Sequence, residues 1–350
     1  MAIPAAHALH EQGFEIHWVC AEAVAPLLAC YSWIHPMPIN GKILLAGKLR
    51  DRVKSIAALW SLVIRTRYDF CATLYYDQRY RVLTLPVRAK QKLILSQKSR
   101  LTTLLVSRHP TEEYRRVLLQ EEDGCRDLSS PPIQPDLLPS SPLPIKSVPY
   151  RIALFPGGVN HLVREQASGV ASAQLLRRWP IERYVSLAQE FSLRGWEVVL
   201  LGGLEDGWVE AYFDGLAIIN CLGTLSLPEV VSACNACDAV ITHDTGPLHL
   251  AGLSTACLMG IFGPTDPSTR VPRRQYVVGV WGGQGFACRP CYDGRDFAPC
   301  KFNGCMHQVT SELVLSELDH LLSDRLRGIS SRWRIVSPVT SLDDPFVNPT

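Results

Sequence analysis

Between residues 239 and 267 the chain sets out, in order, an apolar run, an aspartate, a tight turn, a helix-forming run and a histidine, the ingredients of an anion site. Ala239 to Thr242 reads as a strand running to Asp244, Thr245-Gly246-Pro247 makes the turn, and the following apolar helix carries His249 in its first turn. A helix start leaves backbone N–H groups unpaired and points its positive dipole end outward, so a phosphate binds there without a dedicated cation. Asp244 either caps this helix or accepts a hydrogen bond from a ligand hydroxyl. His249, on an apolar helix, reads as a ligand contact or an organiser of the loop rather than as a base.

Other residue types point the same way. Gly157 and Gly158 follow an apolar strand, Arg151 to Phe155, and Gly202-Gly203 follow another, Trp196 to Leu201. Glycines after strands let a ligand approach the backbone at the carboxyl edge of a sheet. Glu205 is placed there to hold ribose hydroxyls, although an acid beside a helix start is also what the dipole favours, and Asp206 is equally a candidate cap. Arg177-Arg178-Trp179-Pro180 puts two cations before a further helix, as a phosphate contact or as a solvated helix start.

Asp244-Thr245-Gly246-Pro247, then His249, then Phe262-Gly263-Pro264-Thr265-Asp266-Pro267, resembles the signature of glycosyltransferase family 9, the ADP-heptose:lipopolysaccharide heptosyltransferases and their relatives. Fainter likeness extends over roughly residues 4 to 325. The resemblance implies an α/β protein of the GT-B architecture, two Rossmann-like domains with the ligand cleft between them. It implies transfer of a sugar, heptose from ADP-heptose, to a lipopolysaccharide core or related anionic glycolipid, with inversion and without a metal. Gly157, Gly158, Arg177, Glu205 and the loop Asp244, Thr245, Gly246, Pro247 and His249 would then bind the donor. A lysine that serves the diphosphate in the family matches Arg177 here, a change of identity that keeps the charge and adds bidentate donors.

Family members open on an apolar strand ending in Gly-Asp, whose aspartate is the general base. With Pro4 in register, that aspartate falls before Met1, so the catalytic base is expected outside this sequence, and Met1 reads as an internal methionine of a longer protein or the start of a degraded copy. A domain that opens on a helix would also lack the strand at the centre of its sheet. Asp51, Asp69 and Asp77 are acids that could replace the base, and spacing singles out none. The rival readings are an inactive nucleotide-sugar-binding protein and a transferase acting on another glycan.

The 350 residues suffice for two domains, and 47% hydrophobic with 19% charged residues describes an ordinary globular protein. Apolar runs are too short to span a bilayer and no secretory leader is legible, so a cytoplasmic protein is expected. Net charge is +2, yet residues 42 to 116 hold 17 Lys or Arg against five acids. That stretch reads either as a surface for an anionic acceptor or the inner face of the cytoplasmic membrane, or as solvated charge. No interleaved aromatic pattern suggests nucleic acid.

Alternating strand and helix patterns predict parallel sheets. In the first half these are a helix over Ala5 to Gln12, a strand over Glu15 to Cys20, a helix over Asp51 to Arg67 and a strand over Asp69 to Tyr75. The expected division is 1–126 for the first domain, a Pro- and Ser-rich linker at 127–149, 150–327 for the nucleotide-sugar domain, and a disordered tail at 328–350. Cys288, Cys291, Cys300 and Cys305 lie within 18 residues in a glycine-rich setting, with three readings open: a structural zinc, free buried thiols, or a disulfide. The other eight cysteines read as small core residues.

Overall fold

The computed structural model describes residues 1–74, 79–95, 108–120, 129–158, 175–292, 297–300 and 302–339. The chain divides into two compact units, Met1–Leu138 and Pro139–Thr350. The expected linker is anchored rather than loose. Pro135–Leu137 forms a 3-10 turn, Ile133 and Leu143 are buried, and Ser232 donates to the Pro139 carbonyl at 2.7 Å.

In the first unit, β1 (Ile16–Ala21) pairs with β2 (Ile34–Ile39), and β3 (Arg67–Thr73) pairs with β4 (Arg88–Ile94), both parallel. Parallel pairs need crossovers, and the short helices Ala25–Leu28 and Arg79–Leu83 lie within them, while two longer helices pack outside the crossovers. Helix Ile3–Glu11 starts with proline in its first turn, where the missing N–H costs nothing. Helix Leu49–Val63 turns Leu59 and Val63 inward against Leu83 and Ile39. Among the described residues no strand pairing joins β1–β2 to β3–β4. Side chains bridge the interval instead: the His17 ring lies 3.0 Å from the Tyr68 hydroxyl, and Phe14 meets Phe70 edge-on.

The second unit is one seven-stranded parallel sheet, built from β5 (Arg151–Phe155), β6 (Glu197–Gly202), β7 (Ile218–Leu222), β8 (Ala239–His243), β9 (Cys257–Phe262), β10 (Val277–Trp281) and β11 (Arg334–Val336). Its order is β11-β10-β9-β8-β5-β6-β7. The strands are nearly continuous apolar runs because both faces are covered. One layer gathers around Trp179, Tyr184, Phe191 and Leu318, the other around Val199, Val240, Leu248 and Leu258.

The expected tail is part of this sheet. β11 pairs in register with β10, Trp333 stacks under the Arg273 guanidinium, and Arg334 bridges to Glu317 at 2.6 Å. The apolar residues Trp333, Ile335 and Val336 give this polar segment something to bury. Residues 340–350 of the expected tail lie outside the described residues.

At the amino edge of the sheet a buried arginine ties three strands together. Arg151 is 1% exposed. Its backbone N–H donates to Asp238 (2.7 Å), Nε to Glu197 (2.6 Å) and Nη2 to the Pro144 carbonyl (2.9 Å). Removing one partner of a buried pair strands the other charge. Glu197→Ala should therefore cost about 2–3 kcal/mol in thermal unfolding, against less than about 1 kcal/mol for Glu190→Ala, whose pair with Arg194 is more exposed.

Candidate functional site

The chain runs from β5 to β6 and β7 on one side, then returns to β8 on the other side of β5. The carboxyl ends of β5 and β8 therefore flank a topological switch point, where open α/β sheets leave a crevice for ligands. Pro156-Gly157-Gly158 follows β5 there, and Asp244 to Pro247 follows β8. Both glycines are dictated by their neighbours. Gly158 sits at φ +86°, and a Cβ on it would lie 2.9 Å from the Thr245 hydroxyl; one on Gly157 would overlap the Asp206 carboxyl.

Asp206 is the residue whose part the sequence understated. It is 5% exposed. One carboxylate oxygen accepts the Gly158 N–H and the other the Gly203 N–H, each at 2.8 Å. It does cap its own 3-10 helix, Leu204–Phe213, and it also ties the glycine turn after β5 to the glycine turn after β6. Glu205, beside it, is exposed at the same sheet edge.

Asp244 does not cap the helix that follows. The N-cap position is Thr245, without a side-chain cap bond. Asp244 is 3% exposed and accepts the Thr265 hydroxyl at 2.6 Å. Thr265 sits in a turn that is itself held: Trp281 Nε1 donates to the Gly263 carbonyl (3.0 Å), and the Cys291 and Tyr292 N–H groups donate to Pro264 (3.1 Å each). His249 lies half-buried on the short helix Gly246–Ala251 and is engaged by its surroundings.

The two arginines diverge. Arg177 Nη1 donates to the Asp244 carbonyl at 3.1 Å, which brings the cation to the motif loop. Its Nε is buried and has no hydrogen-bond partner among the described residues, an orphan donor of the kind that calls for an acceptor. Arg178 instead stacks on Trp208, 4.8 Å from the ring centre, and burial lowers its pKa. Trp179 anchors the segment, fully buried, with Nε1 donating to the Val309 carbonyl at 2.8 Å.

His243, the last residue of β8, was not singled out by sequence because it lies inside an apolar run. It is fully buried, with Nδ1 3.0 Å from the Tyr184 hydroxyl. Burial first, then the charges of Arg177 and Arg178, lower its pKa to about 3. The ring is neutral at physiological pH.

The four clustered cysteines are free thiols, and no set of three or more potential metal ligands gathers among the described residues. The disulfide reading is thereby corrected in favour of free thiols. Two of the sulfurs have local partners: Cys300 Sγ accepts the Asn303 N–H at 3.2 Å and Cys305 Sγ faces Asn303 Oδ1 at 3.7 Å. Burial first, then the nearby Cys291 and Cys300, push the Cys305 thiol up to about 12. Cys305 and Met306 pack where a side chain on Gly263 would stand. The segment thus buttresses the turn that holds Thr265.

Two outcomes check this geometry. Asp206→Asn turns an amide N–H₂ toward one of the two glycine N–H groups and should cost about 1–3 kcal/mol in thermal unfolding, with Glu205→Gln near neutral. His243 has a depressed folded-state pKa, so stability falls as pH drops below the unfolded value near 6.5 and keeps falling toward about 3. Between pH 6.5 and 5 the parent should lose up to about 1.4 kcal/mol per pH unit more than His243→Asn, in unfolding midpoints measured at each pH.

Residues 170–300 match glycosyltransferase family 9 (heptosyltransferase). The lipooligosaccharide heptosyltransferase 2 of Haemophilus influenzae is 32% identical over 154 residues, 42% of this chain and 44% of that protein. The chain thus matches less than half the length of this relative. The ADP-heptose lipopolysaccharide heptosyltransferase II of Escherichia coli shares the fold with a TM-score of 0.66 at 18% identity, covering 93% of this chain and 95% of that one. An E. coli heptosyltransferase solved with ADP follows at 0.62 and 16%, covering 91% and 95%. The architecture is therefore GT-B, and residues 170–300 belong to glycosyltransferase family 9.

Proposed function

We propose that this chain is a glycosyltransferase that moves a sugar, heptose from ADP-heptose, to a lipopolysaccharide core or related anionic glycolipid. The observation that carries the reading is the Arg177 guanidinium, bound through Nη1 to the Asp244 carbonyl with its buried Nε unpartnered among the described residues. A diphosphate oxygen would satisfy that donor. Gly158 and Gly246 keep the backbone bare beside it, and Glu205 is placed for the ribose hydroxyls.

The reaction is a displacement. An acceptor hydroxyl attacks the anomeric carbon from the face opposite the diphosphate, the bond from that carbon to the diphosphate oxygen breaks, and the nucleoside diphosphate leaves with the negative charge. Fixed donors aimed at that charge lower the barrier because they need no reorganisation. Arg177 and the Gly246 N–H at the start of helix Gly246–Ala251 take this role, and no metal enters the step. His249 shapes the loop. The hydroxyl proton must pass to a base.

Binding without turnover is the second reading, and the acids offered as substitute bases favour it. Asp69 is bound to Lys90 at 2.6 Å, Asp51 lies in the first turn of helix Leu49–Val63 and is exposed, and Asp77 lies outside the described residues. Calorimetry with ADP and ADP-heptose, paired with a transfer assay on a lipid A-core acceptor, separates the two. The transferase reading expects ADP release that depends on acceptor, and binding without release in its presence would sink it. Arg177→Ala should weaken ADP binding about tenfold to a hundredfold, and Arg177→Lys should recover part of it.

A further inference from the structure

Helix Leu49–Val63 has an outer face that the fold leaves uncovered. Its inner residues Ile56, Leu59 and Val63 pack on Leu83 and Val87. At about 100° per residue, Leu49, Val53, Trp60 and Ile64 share one stripe, and Arg50 and Lys54 run along its outer flank. Leu49 is 76% exposed, Val53 56% and Ile64 43%. Trp60 Nε1 donates to the Val82 carbonyl at 3.2 Å, which brings in the neighbouring helix Arg79–Leu83 with exposed Val82 and, just beyond it, Leu85, 63% exposed. Lys92 reaches across to the Leu85 carbonyl. Asp51 lies on the opposite shoulder of the helix from the apolar stripe.

We infer that this face docks on an anionic lipid bilayer, with Leu49, Val53, Trp60 and Leu85 entering the headgroup region and Arg50, Lys54 and Lys92 meeting lipid phosphates. Scattered single apolar residues on a surface need no explanation, but an apolar stripe flanked by cations is the composition of an interfacial helix. Each element supplies one part of the fit. The aliphatic tips give area to bury, Trp60 carries an indole suited to the headgroup layer, and the cations are attracted to a negative surface. A soluble acidic protein would satisfy the charges and leave the aliphatic stripe wet. A purely apolar partner would strand the cations. No helix among the described residues is long and apolar enough to cross a membrane.

The inference stands apart from the transfer reaction, since vesicle binding requires no turnover. The test is sedimentation of the full chain with phosphatidylcholine vesicles and with vesicles in which about one third of the lipid is phosphatidylglycerol, at low and high salt. Binding is expected only to the anionic vesicles and should be released by salt. Arg50→Gln/Lys54→Gln should weaken partitioning about thirtyfold, about fivefold per charge. Leu49→Ser/Val53→Ser should weaken it about tenfold or more. Arg327→Gln/Arg332→Gln, a matched pair of exposed cations in the second unit, should leave it unchanged. All these side chains are exposed, so unfolding midpoints should stay with the parent. Equal binding to neutral vesicles, equal loss in Arg50→Gln/Lys54→Gln and Arg327→Gln/Arg332→Gln, or no binding at all overturns the inference. Concentration-dependent self-association abolished by Leu49→Ser/Val53→Ser, without vesicle binding, would instead make the face a contact between copies of this chain and overturn it too.

Discussion

The carboxylate of Asp206 is the constraint on which the site in the second unit depends. A buried carboxylate is costly unless its lone pairs are used. Here both oxygens receive backbone N–H groups, one from Gly158 after β5 and one from Gly203 after β6. The bond pair sets where two strands release the chain. It also explains local composition, because Gly157 and Gly202 both approach Asp206 too closely for a side chain.

The other wall of the switch point is held from the opposite direction. Thr265 donates to Asp244, Asp244 offers its carbonyl to Arg177, and the carbonyls around Thr265 are held by Trp281, Cys291 and Tyr292. The cysteine-bearing segment therefore has a mechanical part in holding this turn. Its glycine-rich character follows from close packing: a side chain on Gly282 or Gly283 would run into Cys305. The loop after β8 is thus clamped by β9 and β10 on one side and by the Leu175–Arg177 turn on the other.

Three central strands of the second unit were legible because a sheet covered on both faces writes itself as apolar runs punctuated by glycine, and boundaries fell within one or two residues of Arg151–Phe155, Glu197–Gly202 and Ala239–His243. The motif after β8 was legible for the same reason, since Asp244, Thr245 and Gly246 interrupt an apolar pattern. What stayed hidden was everything decided by distant partners. Asp244 looked like a cap because its true partner, Thr265, is 21 residues away. Asp206 looked like a local cap because its bond to Gly158 spans 48 residues. β11 was hidden in a polar, proline-rich context, where three apolar residues suffice only because an edge strand is waiting for them. His243 continued a hydrophobic run and gave no periodic signal at all.

His243 shows why burial at this site serves charge as well as packing. Protonating it would place a third cation beside Arg177 and Arg178 in surroundings that water does not reach, and both burial and those charges oppose this. The ring stays neutral. The local positive charge is then carried by guanidinium groups, which do not titrate in the physiological range and are more weakly hydrated than an ammonium. Arg178 spends its charge against the Trp208 ring. Arg177 reaches the loop after β8 through Nη1, and its buried Nε has no hydrogen-bond partner among the described residues. His243 therefore adds no charge beside these two guanidinium groups at physiological pH.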